Sequence, residues 1–264
     1  MSDSIDRNNA RHLKYRIRFF LAEFSGTGLL LLGGLSLVIF MFGTGSIAAE
    51  LVPSIEARQG ITGFLFGSIG AAIALSPIGR ISGAHVNPAV TVVFWLFRKL
   101  EARLAITYVS AQLAGAVVGC IPLLLWGEMG KSLNFGATTP GESYTVTAAF
   151  LGEVVTTFAL VFMIVVFVAF RELRPFTPFM IPLLYGIMVP LEADISGIST
   201  NPARSFGPSV ISGVWDAWWI YWIGPLSGAL LASAVGHRLA KRVAIAKLYH
   251  FDSQSESDEL LKQA

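Results

Sequence analysis

Charged residues and cysteine are scarce in this sequence. Asp, Glu, Lys and Arg make up 14% of its 264 residues, whereas about 25% is usual in soluble domains. The single cysteine, Cys120, excludes an intramolecular disulfide and a thiolate metal centre. No nucleophile paired with a base and no cluster of metal ligands stands out. These shortages argue against a water-soluble enzyme, and we expect neither a cofactor nor a metal.

Apolar residues are abundant, at 54% of the chain, and they are gathered into long runs. Six runs are long enough to cross a bilayer, where only helices satisfy their own backbone polar groups. These six runs cover residues 19–42, 60–79, 104–127, 143–170, 175–191 and 217–236. Two further apolar runs, 86–97 and 201–215, are too short to span and predict re-entrant half-helices. The sequence therefore predicts an all-α membrane protein.

Basic residues are distributed unevenly between the loops. Sixteen of the 19 Lys and Arg residues lie on one side of the predicted membrane, and only Arg58, Lys131 and Arg204 lie on the other. Because cytoplasmic loops carry the excess of Lys and Arg, we expect both termini in the cytoplasm and the protein in the plasma (cell inner) membrane. Short clusters between apolar runs do not indicate a nucleic-acid partner. Segment 1–18 is predicted as a basic N-terminal tail and 246–264 as a polar, disordered C-terminal tail.

An internal repeat organises the predicted membrane domain, residues 19–245, into halves of about 19–135 and 140–245. The motif Ser-Gly-x-x-x-Asn-Pro-Ala occurs at 82–89 and 196–203, Glu23 with Thr27 is matched by Glu153 with Thr157, and Leu113-x-Gly115-Ala116 by Leu226-x-Gly228-Ala229. Since each half has three spans, the second half crosses the membrane in the opposite sense. This inverted 3+3 repeat brings the two short helices in from opposite faces to meet near the midplane.

The two Asn-Pro-Ala motifs predict where the half-helices begin. Asparagine is a good N-cap and proline suits the first helical position. The motifs are Asn87-Pro88-Ala89 and Asn201-Pro202-Ala203. Each helix N-terminus carries about half a positive elementary charge, so two facing termini repel cations, while the amide NH₂ groups can donate to a neutral solute. The alternative is turn chemistry in a loop, which two identical frames argue against.

The motifs also carry a family resemblance. Segments 82–90 (SGAHVNPAV) and 201–205 (NPARS), together with 22–27 (AEFSGT), resemble the major intrinsic protein family, the aquaporins and aquaglyceroporins, over about 15–245. The resemblance implies an aquaporin-like hourglass of six transmembrane helices and two re-entrant half-helices, with one pore in each monomer. It also implies a homotetramer in the lipid bilayer whose partners are water and small neutral solutes.

The resemblance further implies a selectivity filter of four residues. Counting from the motifs places the filter at Gly67, Val189, Ile198 and Arg204, and an offset of one residue would bring in Phe66 or Ser68 instead of Gly67. A strict water channel of this family has an aromatic residue at the first position and histidine at the second. Small and aliphatic residues there predict a wider, less polar constriction. Arg204 is expected to donate to permeant oxygens and reject cations, with a snorkelling surface arginine as the alternative.

The markers of solute choice disagree. Ser205 stands where glycerol channels of the family usually have aspartate, and Tyr221-Trp222 resembles the aromatic pair of water channels. Because pore width acts directly on permeation, we expect a passive water channel that tolerates glycerol, urea or similar solutes and excludes protons and ions. The alternatives are an aquaglyceroporin-type or metalloid channel with poor water flux, a secondary transporter, which would need a coupling-ion site, and a structural junction protein.

Three polar residues are expected to support the motifs. Glu23 and Glu153 lie within long spans and are interpreted as acceptors for the irregular backbone that leads into each half-helix. A proton relay is the alternative role for these acids. His85 is expected to hydrogen-bond within its own loop. A metal role is not expected for it, because no second ligand lies near it in the sequence.

Overall fold

The computed structural model describes residues 2–249, with side chains from residue 13 onward, and this part of the chain contains helices and no strand. The principal helices are α1 (Ser2–Phe42), α2 (Ile55–Leu75), α3 (Pro88–Leu96), α4 (Ala102–Cys120), α5 (Val146–Ala169), α6 (Thr177–Ser196), α7 (Pro202–Ser212) and α8 (Ile220–Val235). Shorter helical segments are Ala48–Leu51, Pro77–Ser82, Ile121–Trp126, Gly127–Lys131, Asn134–Gly136, Arg174–Phe176 and His237–Arg242. The predicted all-α architecture of six long helices and two half-helices, α3 and α7, is confirmed.

The long helices carry apolar side chains on their outer surfaces. Ile106, Val155, Ile187 and Leu191 are 66%, 63%, 64% and 73% exposed. Exposed apolar surface of this kind suits lipid rather than water. Within residues 2–249, four helical segments are long and apolar enough to cross a membrane, Leu13–Phe42, Ala102–Lys131, Val146–Ala169 and Arg174–Ser196, and the apolar helix Ile220–Val235 is shorter. The chain is built as an integral membrane protein.

The two halves of the bundle pack in matching ways. Helix α1 lies along α4 in the first half, and α5 lies along α8 in the second. The most extensive contact joins the halves and lies between α2 and α6. Each half-helix also packs against the last long helix of the other half, α3 on α8 and α7 on α4. This exchange interlocks the two repeats, as the inverted repeat requires.

Glycines allow the paired helices to lie close together. A Cβ atom added at Gly115 would overlap the backbone of Phe24, and one added at Gly228 would overlap the carbonyl of Val154. Gly115 and Gly228 hold matching positions in the repeat. Small residues at such positions let helix backbones touch, which is the usual basis of close helix packing in membranes.

Both half-helices begin at the asparagine of their motif. Asn87 Oδ1 accepts a hydrogen bond from the Ala89 N–H at 2.8 Å, and Asn201 Oδ1 accepts one from the Ala203 N–H at 3.0 Å. Proline follows each asparagine at a position where its missing N–H leaves no bond unmade. The two motifs therefore cap their helices as their composition predicts.

Two segments at the ends of the chain differ from the predicted tails. Segment 1–18 belongs largely to helix α1, which begins at Ser2. In the predicted C-terminal tail, Ala246 and Leu248 are 0% and 4% exposed and pack into the apolar core. They are ordered because they cover the loop before α3. The part of that tail beyond Tyr249 lies outside the described residues.

Candidate functional site

A cavity of about 460 Å³ lies inside the bundle. Its wall comes from α1, α2, α5 and α6, from the loops before the two half-helices, and from the segment that joins the repeats. Apolar lining residues include Leu30, Phe66, Leu160, Ile164 and Ile181. Backbone and polar groups of the loops complete the wall. The cavity therefore combines an apolar surface with a few placed polar groups, as small-molecule sites do.

The two Asn-Pro-Ala motifs meet at this cavity. Asn87 Nδ2 donates to the Thr200 carbonyl at 3.0 Å, and Asn201 Nδ2 donates to the Val86 carbonyl at 2.9 Å. Each asparagine thus ties its own half-helix to the loop in front of the other one. An amide NH₂ group has two hydrogens. The second hydrogen of each side chain is available beside the cavity, which both asparagines line.

The loops before the half-helices repeat an unusual backbone conformation. Ala84 and Val86 in the first loop have φ of +52° and +42°, and Ile198 and Thr200 in the second have +43° and +52°. Positive φ is costly for branched side chains such as valine, isoleucine and threonine, by about 1–3 kcal/mol for each residue. Such a conformation persists only where neighbouring groups fix it. Here the neighbours are two buried carboxylates.

The Glu23 carboxylate fixes the first loop. It accepts hydrogen bonds from the N–H groups of His85 at 3.0 Å and Val86 at 2.8 Å, and from Gln112 Nε2 at 2.7 Å. Glu23 is fully buried, so these three donors replace the water that the carboxylate would otherwise bind. The carboxylate thereby holds two consecutive N–H groups that have no place in a regular helix.

The Glu153 carboxylate fixes the second loop in the matching way. It accepts hydrogen bonds from the N–H groups of Ser199 at 2.6 Å and Thr200 at 2.8 Å, and from the Ser196 hydroxyl at 2.7 Å. Glu153 is also fully buried. The structure places both acids as acceptors for irregular backbone, the first of the two roles considered from the sequence.

His85 lies behind the first loop. Its Nδ1 atom is 3.2 Å from Thr91 Oγ1 and its Nε2 atom is 3.1 Å from the Ala246 carbonyl. Its ring stacks on Phe94 with the ring centres 4.7 Å apart. These partners lie in α3 and near the C-terminal end rather than in the same loop, which differs from the prediction. Within residues 2–249, no group of three His, Cys, Asp or Glu side chains is placed to hold a metal ion.

Arg204 lies in the first turn of α7 and lines the cavity. Its Nη1 atom donates to the Gly136 carbonyl at 2.6 Å, and the residue is 8% exposed. This geometry excludes the snorkelling surface arginine considered from the sequence. The segment around Gly136 is anchored further by Thr138 Oγ1, which is 2.6 Å from Ser205 Oγ. A guanidinium held in this way has donors left for a molecule in the cavity.

The first predicted filter position, Gly67, contributes backbone to the cavity wall. A Cβ atom at Gly67 would point at α6 and lie 2.7 Å from Pro182 Cα. Its neighbour Phe66 also lines the cavity, and the Phe66 ring lies against Gly34 of α1. Phe66, the residue that an offset of one would select, thus brings an aromatic side chain to the cavity.

Val189 and Ile198, the second and third predicted filter positions, both line the cavity with Arg204. Val189 lies on α6, and Ile198 lies in the strained loop before α7, where it is 7% exposed. Neither side chain carries a hydrogen-bonding group. Three of the four predicted positions thus bring their side chains to one cavity.

Sequence reasoning missed several lining residues. The segment 133–141 between the repeats contributes to the wall through Leu133, Gly136, Ala137, Thr138, Thr139 and Gly141. Tyr185 lines the cavity from α6, and Gln59 Nε2 donates to Asp194 Oδ1 at 2.8 Å. Helical spacing from Val189 was a signal for Tyr185, since residues four apart share a face. The segment 133–141 has no counterpart in the repeat and offered no such signal.

Known proteins resemble this chain over most of its length. The sequence profile described as major intrinsic protein matches residues 9–235. Aquaporin AqpM of Methanothermobacter marburgensis is 35% identical over 238 residues, which cover 81% of this chain and 93% of that protein. Aquaporin-4 of Notomys alexis is 40% identical over 161 residues, 60% of this chain, and the match spans about half (49%) of that relative. The solved aquaglyceroporin of Plasmodium falciparum has a TM-score of 0.66 at 21% identity, over 83% of this chain and 94% of that one, which indicates the same fold.

Proposed function

We propose, from the premise that the chain belongs to the major intrinsic protein family, that it forms a passive channel for water which also passes small neutral solutes. The observation that carries this proposal is the meeting of two half-helix N-termini at one cavity. There the Asn87 and Asn201 side chains are held in place with one amide hydrogen each to spare. A water oxygen accepts from these donors while the apolar wall offers it no competing partner.

The same geometry opposes cations and protons. Two helix N-termini place about half a positive elementary charge each beside the asparagines. Arg204 adds a full positive charge at a second level of the cavity, where it is almost completely buried. A cation must pass both levels, whereas a neutral molecule meets only hydrogen-bond donors. We therefore assign proton and ion exclusion to these two groups.

The selectivity filter of the proposed channel consists of Arg204, Ile198, Val189 and the Phe66–Gly67 pair. Val189 offers an aliphatic group where a polar one would hold water tightly, and this favours passage of solutes such as glycerol and urea. Phe66, on α2 and against α1, limits the width of the pore from the side facing α6. The aquaglyceroporin-type alternative differs in predicting poor water flux. The aliphatic side chain of Val189 in the filter is the observation that favours this alternative.

Several further features follow from the proposal. The face that carries both ends of the described chain is the cytoplasmic face, in agreement with the excess of Lys and Arg there. The protein resides in a plasma or inner membrane and assembles as a homotetramer with one pore in each subunit. The channel domain comprises 19–245 together with the buried residues that follow it.

Osmotic shrinkage of vesicles tests the proposal directly. The purified protein is reconstituted in liposomes, and shrinkage is followed with impermeant osmolyte, glycerol and urea, with empty liposomes as the control. We expect water flux far above that of empty liposomes, with a low activation energy and linear dependence on the gradient. Shrinkage no faster than in empty liposomes would refute the channel, and saturation or dependence on an ion gradient would indicate a transporter instead.

A further inference from the structure

Helix α6 presents one stripe of side chains to the cavity. Ile181, Tyr185, Val189 and Ala193 follow each other at intervals of four residues, and all four line the wall. Tyr185 is the one member of this stripe with a hydrogen-bonding side chain. With a rise of 1.5 Å per residue, it lies about 6 Å from Val189 along the helix, toward the middle of the membrane. It therefore lies one helical turn from Val189, between Val189 and the Pro182 that Gly67 contacts.

The hydroxyl of Tyr185 is fixed on the loop before α7. Its oxygen is 2.5 Å from Thr200 Oγ1, and either atom is a potential donor by geometry alone. Thr200 Oγ1 also donates to the Ser199 carbonyl at 2.7 Å. A threonine hydroxyl has a single hydrogen, so Tyr185 must donate to Thr200. The Tyr185 oxygen is then left with lone pairs and serves any further neighbour as an acceptor.

The anchor for Tyr185 is itself rigid and lies beside the asparagine pair. The Thr200 carbonyl accepts from Asn87 Nδ2 at 3.0 Å, and the Thr200 N–H donates to Glu153 at 2.8 Å. Thr200 precedes Asn201 directly. Its counterpart in the first loop is Val86, which has no hydroxyl. The Tyr185–Thr200 contact therefore has no match at Val86 in the first loop, and it lies close to donors that come from both repeats.

We propose that Tyr185 is a second determinant of solute choice, acting one helical turn inward of Val189; this rests on the channel function proposed above. Its ring narrows the pore from α6, and its oxygen accepts a hydrogen bond beside the asparagine donors. A molecule at this level is best satisfied when it offers both an acceptor and a donor. Water, polyols and urea do so, whereas an acceptor-only solute of similar size leaves the Tyr185 oxygen without a partner.

Two substitutions separate the ring from the hydroxyl. Tyr185→Phe keeps the ring and removes the acceptor, and Tyr185→Val removes both. Tyr144→Phe is the matched control, since Tyr144 is 45% exposed and does not line the cavity. Each protein is reconstituted in liposomes, and the glycerol and water permeabilities are measured on the same preparation. The readout is the ratio of the two permeabilities.

We expect Tyr185→Val to raise the glycerol-to-water ratio several-fold because the lumen widens. We expect Tyr185→Phe to lower this ratio about fivefold. Glycerol in the pore has no hydration water to replace the lost hydrogen bond, and one such bond corresponds to roughly 1 kcal/mol. Ratios equal to those of wild type and Tyr144→Phe in both variants, with water flux retained, would overturn the role of Tyr185. Loss of the proposed channel function is distinguishable, because wild type itself would then shrink no faster than empty liposomes.

Discussion

Arg204 contributes a buried positive charge to the wall of the cavity. Arg204 is 8% exposed, and the Gly136 carbonyl holds its guanidinium at 2.6 Å. A buried charge is retained in a membrane where it faces a watery cavity and has partners. The carbonyl provides one partner, and no carboxylate among the described residues is in direct contact with the positive charge. Arg204 is therefore suited to repel cations rather than to stabilise the fold.

Replacing Arg204 by valine tests this role at the residue scale. We expect Arg204→Val to raise the proton leak of liposomes at least about tenfold while water flux changes by less than about twofold, because the positive barrier is removed and the lumen stays open. The leak is measured with a pH-sensitive dye inside the vesicles. Lys131→Ala is the control, since Lys131 carries the same charge but is paired with Glu128 at the surface. Equal leaks in wild type and Arg204→Val would contradict the electrostatic account.

Residue types with a fixed chemical role were predictable from the sequence, and the register of a helix face was not. The asparagine caps and the two buried glutamates follow from hydrogen-bonding capacity and from the repeat. The first filter position required counting backward from Asn87 across Ser76, where α2 has ended and Pro77–Ser82 forms a separate turn. A count that crosses a helix break does not fix the facing residue. In the second half, α6 runs to Ser196 without such a break.

At the scale of elements, the contact between α2 and α6 sets the spacing of the cavity walls. Gly63 and Gly67 of α2 lie directly against the backbone of Tyr185 and Pro182 of α6. A side chain at either glycine would push the helices apart. Filling the filter by substituting Gly67 with an aromatic residue would therefore disrupt this contact instead of narrowing the pore.

Two alanine substitutions on α2 distinguish packing from lining. We expect Gly67→Ala to lower the free energy of unfolding by about 1–3 kcal/mol, because its Cβ would lie 2.7 Å from Pro182 Cα. Gly70→Ala is the matched control: its Cβ would meet only Leu30 Cδ1 at 3.9 Å, and it should be neutral or stabilise by about 1 kcal/mol. Thermal denaturation in detergent measures both variants. Equal midpoints would mean that α2 and α6 do not constrain each other as described.

The segment 133–141 shows the limit of prediction for connecting elements. It brings Gly136 to Arg204 and Thr138 to Ser205, so it forms part of the pore wall. Its role depends on contacts with α7, which lies far along the chain, and its own composition carries no periodic pattern. From the sequence, we could predict only elements that recur in the repeat or that follow a helical period.

At the scale of the whole molecule, the inverted repeat assigns every loop to one of two faces. The loops expected to be cytoplasmic include the one around Glu101, and those on the opposite face include the one around Lys131. Both residues are exposed. The native thiol, Cys120, is 0% exposed, so a thiol reagent reports on introduced cysteines.

Labelling of intact cells tests this topology. We expect Lys131→Cys to react with a membrane-impermeant maleimide from outside, and Glu101→Cys to react only after the membrane is made permeable. Epitope tags at both termini should behave like Glu101→Cys, since the excess of Lys and Arg predicts that this face is cytoplasmic. The unsubstituted protein is the control for Cys120. External labelling of Glu101→Cys would overturn the proposed orientation, and external labelling of one tag alone would be incompatible with the inverted repeat.

The burial of Ala246 and Leu248 against the first Asn-Pro-Ala loop also has a consequence for biosynthesis. The Ala246 carbonyl meets His85, 161 residues earlier in the chain, and the Leu248 N–H donates to the Gly83 carbonyl. At ribosomal speeds of about 5–20 residues per second, these 161 residues take roughly 8–32 s to make. The loop thus emerges long before its last partners exist. The contacts that cover the first Asn-Pro-Ala loop therefore form only after Ala246 and Leu248 have been made.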